Sequence, residues 1–284
     1  MDDMRRKPRH AVRLAFVVVV CMAVSATLRG AEPRAAIVLA AATSLAESGL
    51  LDHLLPIFTA ATGIEVQAVA LGTEQALDAA RRGVADLVLA DDPTAEQRFF
   101  DRGFGTSRRQ IAWSDLVIVG PSLDPANVRG RKDAVAALAA IARAKVPFVS
   151  RGDQSDTNQL ERRLWHEAGI TPPDPADGWY RAVGGGMGAA LQAAAATDAY
   201  ALSDRSAWLR FGDKRDLVIC VAGDGRLLNR YDAITLDPNH RPAARMSEAQ
   251  ALADWLVSGA GQTAIGEFRI AGQQVFHPSA AHPR

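Results

Sequence analysis

Small and hydroxyl-bearing residues gather at five places where a strand-like run gives way to a helical pattern. These junctions are Ala41–Ser44, Leu71–Thr73, Ser150–Thr157, Gly184–Gly188 and Leu202–Ser206. A helix start offers free backbone N–H groups and a positive dipole end, which attract anions, and hydroxyls add further donors. Arg151 and Arg205 lie within two of the junctions. The pattern predicts anion binding, and the alternative is ordinary capping, which prefers Ser, Thr and Asp.

The elements that must position these junctions alternate between strand and helix along the chain. Strand-like runs cover 36–40, 65–71, 85–90, 113–120, 147–150, 199–203, 217–221 and 233–236, with helical patterns between and after them. Such alternation predicts an α/β fold with largely parallel sheets. Ser44, followed by Glu47 three residues on, has the form of a capping box, and Gly63 is expected to end the helix that follows.

The composition excludes several classes of protein. The 284 residues include 32 Lys+Arg and 32 Asp+Glu, and 48% are hydrophobic, which are globular proportions. A neutral balance argues against a dedicated nucleic-acid binder. Cys21 and Cys220 are too far apart in sequence for a local metal cluster and too few for a disulfide scaffold, so Cys220, in an apolar run, is expected to be a buried hydrophobe.

The first 31 residues form a segment distinct from the rest of the chain. Basic residues up to Arg13 precede the apolar run Leu14–Val24, and the small residues Ser25 and Ala26 follow it. This order predicts a secretory signal peptide, residues 1–31, and an uncleaved anchor is the alternative. Because the segment carries six basic and two acidic residues, the exported remainder has a net charge of −4. We therefore expect a periplasmic or extracytoplasmic protein.

Longer stretches of the chain resemble a known family. They are SGLLDHLLPIF (48–58), TGIEVQAVALGTEQAL (62–77), ADLVLADDPTAE (85–96), SDLVIVGPSLDPA (114–126), DAVAALAAIARAKVPFVSRGDQSDT (133–157), AYALSDRSAWL (199–209) and GQQVFHP (272–278). The piece FVSRGD followed by Ser155 and Thr157 is the most diagnostic. With these stretches, residues 37–276 resemble the extracytoplasmic tungstate-binding component of ABC importers.

The resemblance implies a type II periplasmic-binding-protein fold, in which two α/β lobes close on an oxyanion. We expect lobe I to comprise 34–113 plus 230–284 and lobe II to comprise 114–229. The expected ligand-binding residues are Thr43, Ser44, Thr73, Arg151, Ser155, Thr157 and Arg205, with Thr73 and Arg205 as neighbours of the other five. Ala41, Ala42, Gln154, Asp156 and Asn158 depart from the family pattern. Asp156 would bring a negative charge close to a dianion, which electrostatics disfavours.

The function that the resemblance implies is capture of tungstate, or next molybdate, and its delivery to permease and ATPase subunits. Phosphate, sulfate or a small carboxylate is the alternative ligand, and a sensor that docks to a receptor is the alternative role. The sequence contains no His-x-x-x-His or Gly-x-Ser-x-Gly pattern, and Gly184–Gly188 lacks a P-loop lysine. We therefore expect a monomeric binding protein, with no enzymatic activity, cofactor, free metal cation or nucleic-acid partner.

Overall fold

A computed structural model describes residues 36–153, 155–171, 178–239 and 245–279. The expected signal peptide, Gln154 and residues 172–177 of a proline-rich loop lie outside the described residues. The helices are α1 (Thr43–Ala46), α2 (Leu50–Thr62), α3 (Thr73–Arg81), α4 (Pro93–Asp101), α5 (Ala134–Ala144), α6 (Asp156–Glu167), α7 (Gly186–Thr197), α8 (Arg205–Arg210), α9 (Met246–Val257) and α10 (Gly259–Glu267).

The strands are β1 (Ile37–Ala42), β2 (Val66–Leu71), β3 (Leu87–Ala90), β4 (Gly105–Pro121), β5 (Phe148–Ser150), β6 (Tyr180–Ala182), β7 (Tyr200–Asp204), β8 (Leu217–Val221), β9 (Leu228–Leu236), β10 (Arg269–Ile270), β11 (Gln273–Gln274) and β12 (His277–Pro278). The main sheet has the order β2-β1-β3-β9-β4-β7-β5-β6, with β8 and β12 also paired to β4. The α/β fold class is confirmed.

The sheet is mixed, so the prediction of largely parallel sheets is wrong for its centre. β1 pairs in parallel with β2 and β3, and β5 pairs in parallel with β6 and β7. The central strands β4 and β9 are antiparallel to their neighbours. Each parallel group is joined by helical crossovers, whereas β9 runs antiparallel to β3, β4 runs antiparallel to β7, and β4 and β9 run antiparallel to each other. Both sets of parallel strands keep their carboxyl ends available for a site.

The strands β4 and β9 are much longer than the sequence predicts. β4 has 17 residues, and its first six, GTSRRQ, are polar or half exposed. The first residues of β9, Leu228–Arg230, are likewise exposed or half-buried. An apolar run therefore marks only the buried ends of these strands, and the pairing of β4 with β9 extends them. This pair links the two halves of the sheet.

Two of the hydrophobic core regions meet β4 on either side of its middle. Ile111 and Ala112 pack with side chains of β1, β3, α2, α9 and α10. Leu116 and Ile118 pack instead with α5, α6 and β7, including Trp165. Cys220 is buried in the second region, as its apolar run predicted, and burial raises the pKa of its thiol to about 11. A single strand thus contributes to both regions.

Two local predictions about helix ends have opposite outcomes. Gly63 ends α2 in the left-handed conformation, with φ of +70°, as predicted. The capping box at Ser44 is wrong, because α1 has Ala42 at its N-cap and no side-chain cap. The Ser44 hydroxyl instead donates to Asp91, 47 residues away. Within the described ranges, no helix combines the length and apolar character needed to cross a membrane.

Candidate functional site

Three parallel strands bring polar residues to one edge of the sheet. Ser44 follows β1, Thr73 follows β2 and Asp91 follows β3. The Ser44 hydroxyl donates to Asp91 Oδ2 at 2.8 Å, and the Thr73 hydroxyl donates to Asp91 Oδ1 at 2.8 Å. The Thr73 oxygen also accepts from the Asp91 backbone N–H at 3.2 Å. Both hydroxyls are therefore held by one buried carboxylate.

The strand β9 adds two polar side chains to the same edge. Asn229 donates from Nδ2 to Asp91 Oδ2 at 2.9 Å and to the Tyr231 hydroxyl at 3.0 Å. The buried Tyr231 hydroxyl donates in turn to Ser44 Oγ at 3.4 Å. Burial, together with the nearby Asp91 and Asp204 carboxylates, raises the pKa of Tyr231 above its usual value. Tyr231 therefore stays neutral and serves as a hydrogen-bonding link.

The loop after β5 presents Arg151 from the other half of the sheet. Gly152 has φ of +63°, and a Cβ atom there would lie 2.7 Å from the Ala182 side chain. Only glycine satisfies both the left-handed backbone and this close approach without strain. The Arg151 carbonyl accepts from the Gly184 backbone N–H at 2.6 Å. The glycine-rich junction at 184–188 thus hydrogen-bonds to the loop that contains Arg151.

The Arg151 guanidinium is buried and interacts with two carboxylates. It donates from Nε and Nη2 to Asp153 Oδ2, at 3.0 and 2.7 Å. It also acts electrostatically on Asp204, which ends β7 and is 4% exposed. Burial raises the pKa of Asp204 to about 6, and the charge of Arg151 opposes that rise. The arginine therefore favours the ionised form of a buried acid.

Two further residues of this loop lie at the start of α6. Ser155 is the N-cap, and its Oγ accepts from the Asn158 backbone N–H at 3.3 Å. Thr157 donates from Oγ1 to Asp204 Oδ2 at 3.4 Å. Asn158 in turn donates from Nδ2 to Ser150 Oγ at 3.0 Å, which ties α6 to the end of β5. Capping, the alternative interpretation of this junction, is therefore observed for Ser155, and its side chain also interacts with the Asp153 carboxylate.

Asp156 connects the two edges. Its Oδ2 accepts from the backbone N–H of Thr73, the first residue of α3, at 3.3 Å. The Thr73 hydroxyl donates to Asp91, so Thr73 holds both carboxyl groups. Burial, followed by the negative charge of Asp91, raises the pKa of Asp156 to about 7. Two carboxyl groups therefore meet where the sequence predicts a bound dianion.

A cavity of about 280 Å³ opens beside this carboxyl pair. Its lining combines acidic, basic and apolar side chains, and the residues are Asp91, Asp92, Pro93, Leu116, Asp156, Thr157, Leu160, Arg163, Gly225, Arg226, Leu228, Asn229 and Arg230. Arg163 and Arg230 are exposed and form no ion pair with any residue in the described ranges. Their charges can attract an anion to the mouth of the cavity.

The structure brings most of the predicted ligand-binding residues together. Ser44 and Thr73 share the Asp91 carboxylate, Thr157 lines the cavity, and Ser155 precedes Asp156. Arg151 is linked to this group through Asp204, because the charge of Arg151 and the hydrogen bond from Thr157 both stabilise the Asp204 carboxylate. Thr43 is the first residue of α1 and is half-buried.

Arg205 lies in a different environment. Its guanidinium pairs with Asp115 through Nε at 2.6 Å and Nη2 at 2.5 Å. It lines a separate cavity with Trp113 and His277, whose rings stack 4.0 Å apart. Asp115 accordingly occupies two of the donors that the sequence assigned to a ligand.

Sequence reasoning missed four polar residues at the centre of the site. Asp91 and Asp204 each stand at the carboxyl end of a strand, the position used to select the other candidates. Asn229 and Tyr231 belong to the part of β9 that the apolar pattern did not reveal. A search for polar residues at the carboxyl ends of strands could have found Asp91 and Asp204. The two residues of β9 could be placed at the site only from the register of that strand in the sheet.

Comparisons with known proteins agree with this architecture. The sequence model of the PBP superfamily domain matches residues 28–260. The tungstate-binding protein TupA of Peptoclostridium acidaminophilum is 38% identical over 254 residues, covering 88% of each chain. The chain belongs to the TupA family of the PBP superfamily. The family resemblance predicted from the sequence is confirmed.

Solved structures extend the relationship to the fold of TupA-family proteins. The tungstate-binding protein TupA of Desulfovibrio alaskensis G20 is 39% identical, with a TM-score of 0.78, over 86% of this chain and 99% of that one. The tungstate ABC transporter structure from Geobacter sulfurreducens is 36% identical, with a TM-score of 0.73, over 82% and 98%. Among the residues described in this TupA-family protein, no group of three or more His, Cys, Asp or Glu side chains could hold a metal ion.

Proposed function

We propose that this protein captures a tetrahedral oxyanion, tungstate first and molybdate second, and delivers it to an ABC permease driven by an ATPase. The observation that carries the proposal is the 38% identity to a tungstate-binding protein over 88% of both chains. One acidic cluster is surrounded by Ser44, Thr73 and Thr157, and these hydroxyls support a ligand site at this position. The protein would act outside the cytoplasm as a monomer, without catalysis.

The proposed ligand set combines hydroxyls, backbone N–H groups and one guanidinium. Ser44 and Thr73, with Thr43 beside them, would approach the oxyanion from one side, and Arg151, Ser155 and Thr157 from the other. Arg151 supports this role because it is 8% exposed and carries a permanent charge on a planar set of donors. The pairing of Arg205 with Asp115 favours a structural role for that residue.

The proposed lobes, 34–113 plus 230–284 and 114–229, would be joined by β4 and β9. The change of core partners between Ala112 and Leu116 supports a division in the middle of β4. We expect the lobes to open without ligand and to close on it by bending these two strands. Small-angle scattering should show a smaller radius of gyration at saturating tungstate, and an unchanged radius with confirmed binding would contradict hinge closure.

A second candidate ligand is an oxyanion that retains a proton, such as hydrogen phosphate. The observation that favours it is the presence of the Asp91 and Asp156 carboxyls in the site. Tungstate at neutral pH has no proton and requires donors, whereas hydrogen phosphate can donate to a carboxylate. The two candidates therefore differ in the hydrogen-bonding partner that they require.

Titration calorimetry with tungstate, molybdate, sulfate and phosphate tests the proposal. We expect tungstate to bind most tightly, molybdate next, and sulfate weakly. A thermal-shift series with the same anions serves as the control, because ligand binding to the folded state raises the melting temperature by mass action. Binding of phosphate without tungstate would replace the first candidate by the second, and failure of all four anions would refute oxyanion binding.

A further inference from the structure

The donors expected to hold an oxyanion are already bonded to an acidic side chain of the protein. Ser44 and Asn229 donate to Asp91 Oδ2, at 2.8 and 2.9 Å, and Thr73 donates to Asp91 Oδ1 at 2.8 Å. A hydroxyl has a single hydrogen, so neither Ser44 nor Thr73 can donate to a ligand while it donates to Asp91. The Asp91 carboxylate therefore competes with an incoming oxyanion for the same hydrogens.

Asp156 competes in the same way from the other side. Its Oδ2 accepts from the Thr73 N–H at the start of α3 at 3.3 Å, the Thr73 hydroxyl donates to Asp91, and both carboxyls line one cavity. Two carboxylates held by the same residue are both acceptors and repel each other, so a proton on one of them relieves the repulsion and can be shared between them. Burial and the charge of Asp91 raise the pKa of Asp156 to about 7, which agrees with one shared proton near neutral pH.

The groups around the Asp91–Asp156 pair offset little of its negative charge. The charged or titratable groups that face it are Asp92, Glu96, Asp204, Tyr231, Arg163, Arg226 and Arg230. Arg226 is paired with Asp224 at 2.7 Å, and Arg163 and Arg230 are exposed to water. The Asp204 side chain is 4% exposed, and its Oδ1 atom has no hydrogen-bond partner among the described residues. The site thus contains a buried acceptor without a donor.

We propose that the Asp91–Asp156 pair makes oxyanion binding proton-coupled, so that the site takes up a fully deprotonated dianion together with one proton. This inference rests on the proposed function and specifies how the same site operates. The proton neutralises one competing carboxylate, weakens its hold on the hydroxyls and leaves a carboxyl O–H that can donate to the ligand. An oxyanion that brings its own proton supplies the same hydrogen and needs no uptake.

The sign of the pH dependence follows from this proton balance. When the pair already holds its proton, tungstate binds without proton exchange, and affinity does not change with pH. Above about pH 7 the free site loses the proton, so binding must restore it. The dissociation constant for tungstate then rises about tenfold per pH unit, as expected for one linked proton. For hydrogen phosphate the rise is absent over the same range.

Calorimetry of the full exported chain with tungstate and with phosphate, from about pH 6.5 to 9, tests the proposal. Repeating each titration in two buffers of different ionisation enthalpy measures the protons taken up. We expect uptake to approach one proton per tungstate at the upper end of the range. In Asp156→Asn, which removes the titrating group and keeps the size, the tungstate dissociation constant should not change with pH.

Asp92→Asn is the matched control, because Asp92 lines the same cavity and asparagine retains its role as the N-cap of α4. It should keep the tenfold slope that Asp156→Asn loses. The melting temperature of each variant reports whether it is folded. A pH-independent tungstate affinity in the wild type, or a slope unchanged in folded Asp156→Asn, would overturn proton coupling and leave oxyanion binding intact. Failure of every oxyanion at every pH would overturn the proposed function and the coupling with it.

Discussion

Replacing Arg151 by alanine should weaken tungstate binding by about 100-fold. The guanidinium is 8% exposed, and two of its N–H groups are committed to Asp153. Truncating one partner of a buried charged hydrogen bond costs about 2 to 5 kcal/mol. Because Asp153 already takes part of the donor capacity, we take the lower half of that range, about 3 kcal/mol, which corresponds to about 100-fold in the dissociation constant.

The assay is titration calorimetry near pH 6.5, where the carboxyl pair holds its proton. Arg151→Gln is a second variant that retains more of the side-chain volume, and its loss of affinity should be similar. Asp153→Asn is the matched control. It weakens the competing ion pair and keeps the arginine, so tungstate should bind as tightly as in the wild type or a few-fold tighter. A folded Arg151→Ala protein with wild-type affinity would show that the ligand does not bind at this arginine.

Three further substitutions test the surrounding structure. Arg205→Ala should leave the tungstate dissociation constant within about threefold and lower the melting temperature, because Asp115 loses its bidentate partner; a large loss of affinity would place Arg205 in the ligand set. Burial raises the pKa of Glu96 to about 9, so the folded state holds an extra proton and its stability falls as pH rises from about 5 to 9. Urea unfolding should show this fall in the wild type and a smaller one in Glu96→Gln, and equal falls would contradict it. Gly120→Ala would place a Cβ atom 2.2 Å from the buried Tyr200 ring, so it should destabilise the protein by about 1 to 3 kcal/mol; an unchanged unfolding midpoint would contradict the close packing.

The sequence predicts much of this fold because most elements contain a short apolar run and a clear end. The helix Ala134–Ala144 lies between the predicted strands 113–120 and 147–150, as the helical pattern there predicts, and α2 ends at the predicted Gly63. The first part of β4 was missed because its polar, partly exposed residues show no apolar run, and pairing with β9 stabilises it as a strand. Local patterns therefore identify buried elements better than strands defined by their neighbours.

The candidate site shows the same limit. Ser44 and Thr73 could be selected because hydroxyls at strand ends are visible in sequence, and the family motif adds Arg151. The partner of both hydroxyls, Asp91, lies 47 residues from Ser44 and 18 from Thr73. Its role depends on the order β2-β1-β3 in the sheet, which spacing along the chain does not contain. The contact of Asp156 with Thr73 likewise joins residues 83 positions apart.

A crystal structure of this protein grown with tungstate, with anomalous data collected at a tungsten edge, tests the central claim most directly. The proposal predicts one strong tungsten peak, with the oxyanion in hydrogen-bonding contact with Arg151 and Thr157 and with the Ser44 and Thr73 hydroxyls turned from Asp91 toward it. A peak at another place, or no peak in crystals grown at saturating tungstate, would contradict oxyanion capture at this site.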